Sequence, residues 1–197
     1  MTRRGALLLA LVATLLVAGA LALRRAHARF PDERTPEGAW ARVVLFVGEG
    51  RVRDAFPFLE ERARWASYSI RDYRAAAAAR VASSWPEPER ARWLAEHAVE
   101  AGAADGADVF AHLADARGWT TRLRRDLSGV AKVEVVGERA TIETARGTRW
   151  ALRRRDNGVW GLSAFTPDLV AEAEKAARDA EVIAGAADDY ARADGGR

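Results

Sequence analysis

The chain has 197 residues with a formal net charge of +3, 49% apolar residues and no cysteine. That length suits one compact domain with a real core, and the missing cysteine excludes disulfides, a thiolate nucleophile and cysteine-ligated metal centres. The charge does not make a basic domain: Arg3, Arg4, Arg24, Arg25 and Arg29 carry the excess, and from Phe30 onward 26 basic residues face 28 acidic ones. A nucleic-acid partner is therefore not expected. Arginine far outnumbers lysine, present only as Lys132 and Lys175, and alanine is abundant, which points to a GC-rich bacterial coding sequence.

After a basic start at residues 1–4, Gly5 to Leu23 runs without a charge. As a helix this stretch would be about 28 Å long, enough to cross a bilayer's hydrocarbon core. It reads as a single-pass transmembrane anchor or signal anchor, with an extracytoplasmic domain behind it. A signal peptide cleaved after Ala28 is the competing reading, since Ala26-His27-Ala28 has the small-x-small form that signal peptidase cuts. Residues 24–35 form the linker, and the body of the domain spans 36–165.

Thr35-Pro36-Glu37 reads as an N-cap, a first-turn proline and a first-turn acid. Trp40, Val43, Val44 and Val47 then recur at helical spacing until Gly48-Glu49-Gly50 stops the run. Val52, Ala55, Phe56 and Leu59 predict a short helix that Pro57 interrupts. Ser69, with Asp72 three residues on, reads as the cap of a long helix whose stripe is Ile70, Tyr73, Ala77, Val81 and Trp85, ending at Pro86-Glu87-Pro88. Further helices are expected from Pro88 to about Ala103, with Trp93, Leu94 and Ala98 inward, and from the cap Asp105 through Val109, Phe110 and Leu113 to Gly118.

Past Gly129 the apolar period shortens to two, and three turns fix a register. A two-residue Gly137-Glu138 loop of the II′ kind pairs Val135 with Ala140 and Val133 with Ile142. The loop Ala145-Arg146-Gly147 pairs Ile142 with Trp150 and Ala140 with Leu152. Asp156-Asn157-Gly158 pairs Leu152 with Leu162 and Arg154 with Trp160, with Gly158 at a left-handed bulge. One face then carries Val133, Val135, Ala140, Ile142, Trp150, Leu152, Trp160 and Leu162, and the other carries Lys132, Glu143 and Arg149. Arg153 and Arg155 fall on the polar face, and Arg154 shares the apolar side beside Trp160, placed for a cation-π contact or an anionic ligand.

Thr166-Pro167-Asp168 opens a last helix, 166–187, with an inward stripe of Leu169, Ala173, Ala176, Ala177, Ala180 and Ile183. Residues 188–197 read as a disordered tail. Residues 117–155 carry 11 basic and 4 acidic side chains, whereas 156–197 carry 4 basic and 9 acidic. The acidic end is accordingly expected to lie against the basic sheet region.

The fold class is thus α+β: an N-terminal transmembrane helix, helices packed on a four-stranded antiparallel meander, and a C-terminal helix. Helices first, then VEVVGERATIETARGTRWALRRRDNGVWGLSAF, resembles the NTF2-like superfamily of cone-shaped α+β domains over about Pro36 to Phe165. The resemblance implies one of several roles, among them isomerase, ligand carrier, dimerisation module and membrane-anchored scaffold. It places Trp150, Leu152, Arg154 and Trp160 at the lining or rim of the cone as ligand-binding residues.

Catalytic chemistry has little to stand on. His97 beside Glu96 and Glu100, and His112 between Asp108 and Asp115, lack a second histidine at metal-binding spacing, so helix-surface ion pairing explains them. Tyr68 and Tyr73 suit core or rim positions better than proton transfer. No catalytic residue, metal or cofactor is expected. The expected function is a membrane-anchored, non-enzymatic interaction or scaffold domain of a bacterial envelope, with a protein partner or a homo-oligomer. The alternative is a small apolar ligand carrier or isomerase-like enzyme that uses the cone.

Overall fold

The computed structural model describes residues 17–19 and 31–195. The anchor at Gly5 to Leu23, apart from residues 17–19, and the cleavage point after Ala28 lie outside the described residues. Among the described residues no helix is long and apolar enough to cross a membrane.

From Pro31 the chain forms helix α1 (Pro36–Gly48), a 3-10 helix (Val52–Phe58), α2 (Glu61–Ser84), α3 (Glu89–Glu96), α4 (Ala98–Ala101), α5 (Gly106–Ala116) and α6 (Trp119–Arg124). Strands β1 (Val130–Val136), β2 (Arg139–Thr144), β3 (Arg149–Arg154) and β4 (Trp160–Leu162) follow, and α7 (Thr166–Gly195) closes the described chain. The class is α+β with one antiparallel sheet in the order β1-β2-β3-β4. All six expected strand pairings occur in the expected register. Gly137, Gly147 and Gly158 hold φ of 60°, 79° and 82°, which L side chains rarely adopt, so glycine chemistry sets all three turns.

The helix caps follow local chemistry. Thr35 Oγ1 accepts from the Gly38 amide at 3.1 Å, and Asp105 accepts from the Ala107 and Asp108 amides. Trp40, Trp150, Phe165, Phe110 and Trp119 build the main core, with Trp40 and Trp150 at a centroid distance of 5.2 Å and Trp119 stacked on Phe165 at 4.8 Å.

Several expectations need correction. Helix α2 begins at Glu61, not Ser69, and no side chain caps it. Its start is fixed instead by tertiary contact, because Leu59 bridges Leu162 in parallel and the Glu60 amide donates to the Leu162 carbonyl at 3.0 Å. The extra turns change the buried phase to Ala63, Ala66, Ser67, Ile70, Arg74, Ala77 and Val81, leaving Tyr73 exposed. The helix expected from Pro88 breaks at His97, and Ala98 is exposed. Gly118, read as a stop, takes φ 71° and also starts the unforeseen helix α6. Val135 is 52% exposed, because β1 is the sheet's edge and its far end lies beyond the helices that cover the apolar face.

The C-terminal helix departs most. It runs unbroken to Gly195 rather than fraying at Asp188, and it packs along α2 rather than on the sheet. Contacts rise together along both helices: Glu60 with Thr166, Arg74 with Glu172 and Asp179, Arg80 with Asp188, and Trp85 with Tyr190. The pair is therefore parallel. Its seam steps by seven, seven and four residues, through Ala63, Ile70, Ala77 and Val81 on one helix and Leu169, Ala176, Ile183 and Ala187 on the other, which is the heptad spacing that keeps two helices in contact. A small second core of Ala77, Val81 and Ile183, with Trp85, Trp93 and Leu94 against it, sits at the far end.

Gly161 makes the common origin of the two helices possible. A Cβ there would stand 2.5 Å from the Leu59 carbonyl oxygen and 2.6 Å from the Glu60 amide nitrogen. We expect Gly161→Ala to cost about 2 to 3 kcal/mol through this backbone overlap, whereas Gly129→Ala, with open space at its Cβ, should cost far less. Urea midpoints of the two variants check the difference.

Candidate functional site

The first turns of α2 present the most prominent unpartnered surface. With Ala63, Ala66, Ser67 and Ile70 turned inward, Arg62, Arg64, Trp65, Tyr68 and Arg71 fall on the outer flanks. Trp65 is 64% exposed, far more than a tryptophan placed for packing. It lies 6.2 Å from the Tyr68 ring, and its Nε1 donates to Glu61 Oε1 at 3.3 Å.

Tyr68 is anchored from below, edge-on to Phe56 at 5.7 Å. Gly106 allows this close approach, since a Cβ on it would meet the Tyr68 ring at 3.0 Å. Arg71 covers the other side of Tyr68 at 5.9 Å and donates to the Ala104 carbonyl and Asp72. A groove of about 440 Å³ runs between Glu61, Arg64, Trp65, Tyr68, Arg71 and Asp72. On the other side of Trp65, a shallower groove of about 250 Å³ follows the α2–α7 seam, lined by Arg62, Ala66, Ser69, Val170, Ala173 and Glu174. Trp65 thus stands between two grooves.

The electrostatics favour an anionic group nearby. Arg64 is half-buried over the Phe56 ring at 5.5 Å, and its Nε is buried with no hydrogen-bond partner. Arg155 folds in beside it. Its Nη1 donates to the Pro57 carbonyl at 2.6 Å, while its Nε is also buried and unpartnered. Burial first, and then the neighbouring Arg64 charge, push the Arg155 guanidinium below its ordinary range, with Glu61 opposing. Two adjacent half-buried guanidinium groups, each with a buried Nε donor unused, can accommodate a negative group. A third cleft of about 230 Å³ lies alongside, where Arg62, Arg153, Arg154 and Arg155 face Glu60, Glu61, Glu138 and Asp156, so its charges balance.

The ligand-binding residues expected from sequence are not gathered round a cavity. Trp150, at 1% exposure, Leu152 and Trp160 lie in the core. Trp150 Nε1 donates to Asp126 Oδ2 at 2.7 Å, and Trp160 Nε1 to the Arg34 carbonyl at 3.1 Å, so both polar handles are taken. Arg154 is opposite Trp160 in register but is exposed at the cleft. It is Arg155, expected on the polar face, that folds inward, because the Pro57 carbonyl offers it an acceptor.

Asp126, 3% exposed, is a buried carboxylate surrounded by neutral donors. It accepts from Ser128 Oγ, Thr144 Oγ1 and Trp150 Nε1. Burial alone would raise its pKa, but the bonds from Trp150, Thr144, Ser128 and Thr148 together hold it below the ordinary carboxylate range. A carboxylate so saturated is a structural acceptor rather than a base.

His97 stacks on Trp93 at 4.3 Å, and no group of His, Asp and Glu among the described residues can hold a metal. The site was missed in the sequence because the Ser69 cap placed Trp65 and Tyr68 before the helix. Their spacing of three, out of phase with Ala63, Ile70 and Ala77, is the signal that an earlier helix start would have exposed.

Comparison of the chain with protein-family models, with curated proteins and with solved structures gives no match.

Proposed function

We propose that this chain is a non-enzymatic interaction or scaffold module of a bacterial envelope, held at the membrane by Gly5 to Leu23, and that it grips a protein partner at Trp65. The carrying observation is the exposed Trp65 between two grooves, with Tyr68 and Arg71 beside it. Tryptophan, tyrosine and arginine are the residues that dominate binding energy at protein interfaces. Arg64 and Arg155 select a partner segment that carries a carboxylate next to an apolar side chain, the apolar group resting on Trp65. The anchor rests on 19 uncharged residues flanked by arginines. The likeness to NTF2-like scaffolds rests on the order of helices followed by a meander. A carrier would need room beneath Trp150 and Trp160, where the side chains are packed and bonded, so the interaction reading is preferred.

A photo-crosslinking residue at position 65 of the full-length chain, in its native membrane, should give one discrete protein adduct that Arg64→Glu removes. Trp65→Ala should leave the melting temperature within about 2 °C of the parent, since surface changes rarely exceed about 0.5 kcal/mol. The same adduct from a probe at exposed Val182, or none from position 65, would refute the assignment.

A further inference from the structure

The free edge of the sheet carries a second recognition element, independent of Trp65. Among the described residues β1 has no partner strand on its outer side, whereas β4 at the opposite edge is only three residues long and bridged by Leu59. Open edges of this length normally invite pairing. Val135 and Val136, 52% and 78% exposed, stand at the end of the strand, where a soluble edge would be expected to be polar.

The hairpin turn sets which backbone groups point outward. In a two-residue loop the flanking residues, Val136 and Arg139, form the hydrogen-bonded pair. Alternation then turns the amides and carbonyls of Val133 and Val135 away from β2, toward the open side.

We propose that a second copy of this chain pairs along β1, antiparallel about a two-fold axis at Val133, so that two four-stranded sheets join into one of eight. The charges choose this register. An axis at Val133 sets Lys132 opposite Glu134 of the other copy, twice over, at the closer non-hydrogen-bonded positions. Moving the axis one residue either way puts Lys132 against Lys132 or Glu134 against Glu134. Moving it to Val135 runs the ladder into the Gly137 turn. A self-complementary edge is what an isologous dimer requires.

In this register each Val135 lies opposite Ala131, where β1 bulges. It is then next to Val130, which lines an apolar groove of about 530 Å³ with Trp40, Val44, Leu45 and Leu127. The pairing therefore covers the exposed apolar end of β1 and adds side-chain burial to the backbone ladder.

The chain has no cysteine, so single cysteines at positions 132 to 135 of the full-length protein report the register directly. Under mild oxidation Val133→Cys should form the interchain disulfide fastest, because its Cα atoms would be about 5.5 Å apart. Sedimentation of the parent should show a concentration-dependent dimer. Lys132→Glu or Glu134→Lys should weaken it about tenfold, and combining the two should recover most of the loss. Fastest crosslinking at 132, 134 or 135, a parent monomeric at every concentration, or a double reversal no better than the single ones would each overturn the proposal.

Discussion

Replacing Arg74 by alanine is expected to lower stability by about 3 to 5 kcal/mol, the cost of breaking a buried charge network by removing one partner, and to reduce the melting temperature by about 10 °C or more. Arg74 is 2% exposed in the seam between α2 and α7. Its Nη1 lies 2.7 Å from Asp179, its Nη2 3.3 Å from Glu172 and its Nε 3.2 Å from Glu100 on α4. Arg117 braces Glu172 from the other side. Burial works against the Arg74 charge, but the bond to Asp179 and the fields of Glu100, Asp179 and Glu172 outweigh it. Without the guanidinium, three carboxylates face each other with Arg117 alone to offset them.

The same reasoning predicts a contrast. Arg74→Met combined with Glu100→Gln, Glu172→Leu and Asp179→Leu should recover much of the lost stability, since well-packed apolar replacements of a whole network are often neutral or better. Thermal melts of the single and combined variants decide it. A single variant as stable as the parent would show that the network contributes nothing to holding the two helices together.

Asp126→Asn is expected to cost about 2 to 3 kcal/mol at pH 7, because the bonds from Trp150, Thr144 and Ser128 lose their charged acceptor. The pH dependence follows from the direction of the shift. The carboxyl is held below its ordinary range in the fold, while the unfolded chain titrates near the usual aspartate value of about 3.9. Its stabilisation is therefore fully present above about pH 5 and is lost as the pH falls toward the folded value. Urea midpoints of parent and variant should differ at pH 7 and converge as the solution is acidified below the ordinary aspartate range. A gap independent of pH would mean that the introduced amide disrupts packing, and that loss of a charged acceptor is not the cause.

How much of this was legible depended on where the information resides. The sheet register could be read in full because glycines at Gly137, Gly147 and Gly158 encode it locally, and alternation carries it across the strands. The caps Thr35 and Asp105 are local in the same way. The start of α2 was not legible, since a bridge from Leu59 to Leu162, about a hundred residues away, replaces a capping side chain. That error propagated: with the helix begun at Ser69, Arg74 was not in the expected stripe, Tyr73 was, and Trp65 and Tyr68 fell outside any element. Trp150 and Trp160 read as ligand lining, because residue spacing does not distinguish a tryptophan packed at 1% or 4% exposure from one that lines a cavity. Arg155 turned inward for a carbonyl acceptor on Pro57, a donor-acceptor match between segments that no spacing rule predicts.

The parallel pairing of α2 and α7 also has a consequence for synthesis. A ribosome delivers α2 before α7, with the whole sheet between them. Throughout that interval the Ala63–Val81 stripe lacks its α7 mate and Arg74 lacks both Glu172 and Asp179. Contacts of such long sequence separation form slowly, and nascent intermediates that expose apolar surface are prone to aggregate. Helix α7 thus completes the seam: until it is made, the face of α2 that it covers stays open to solvent.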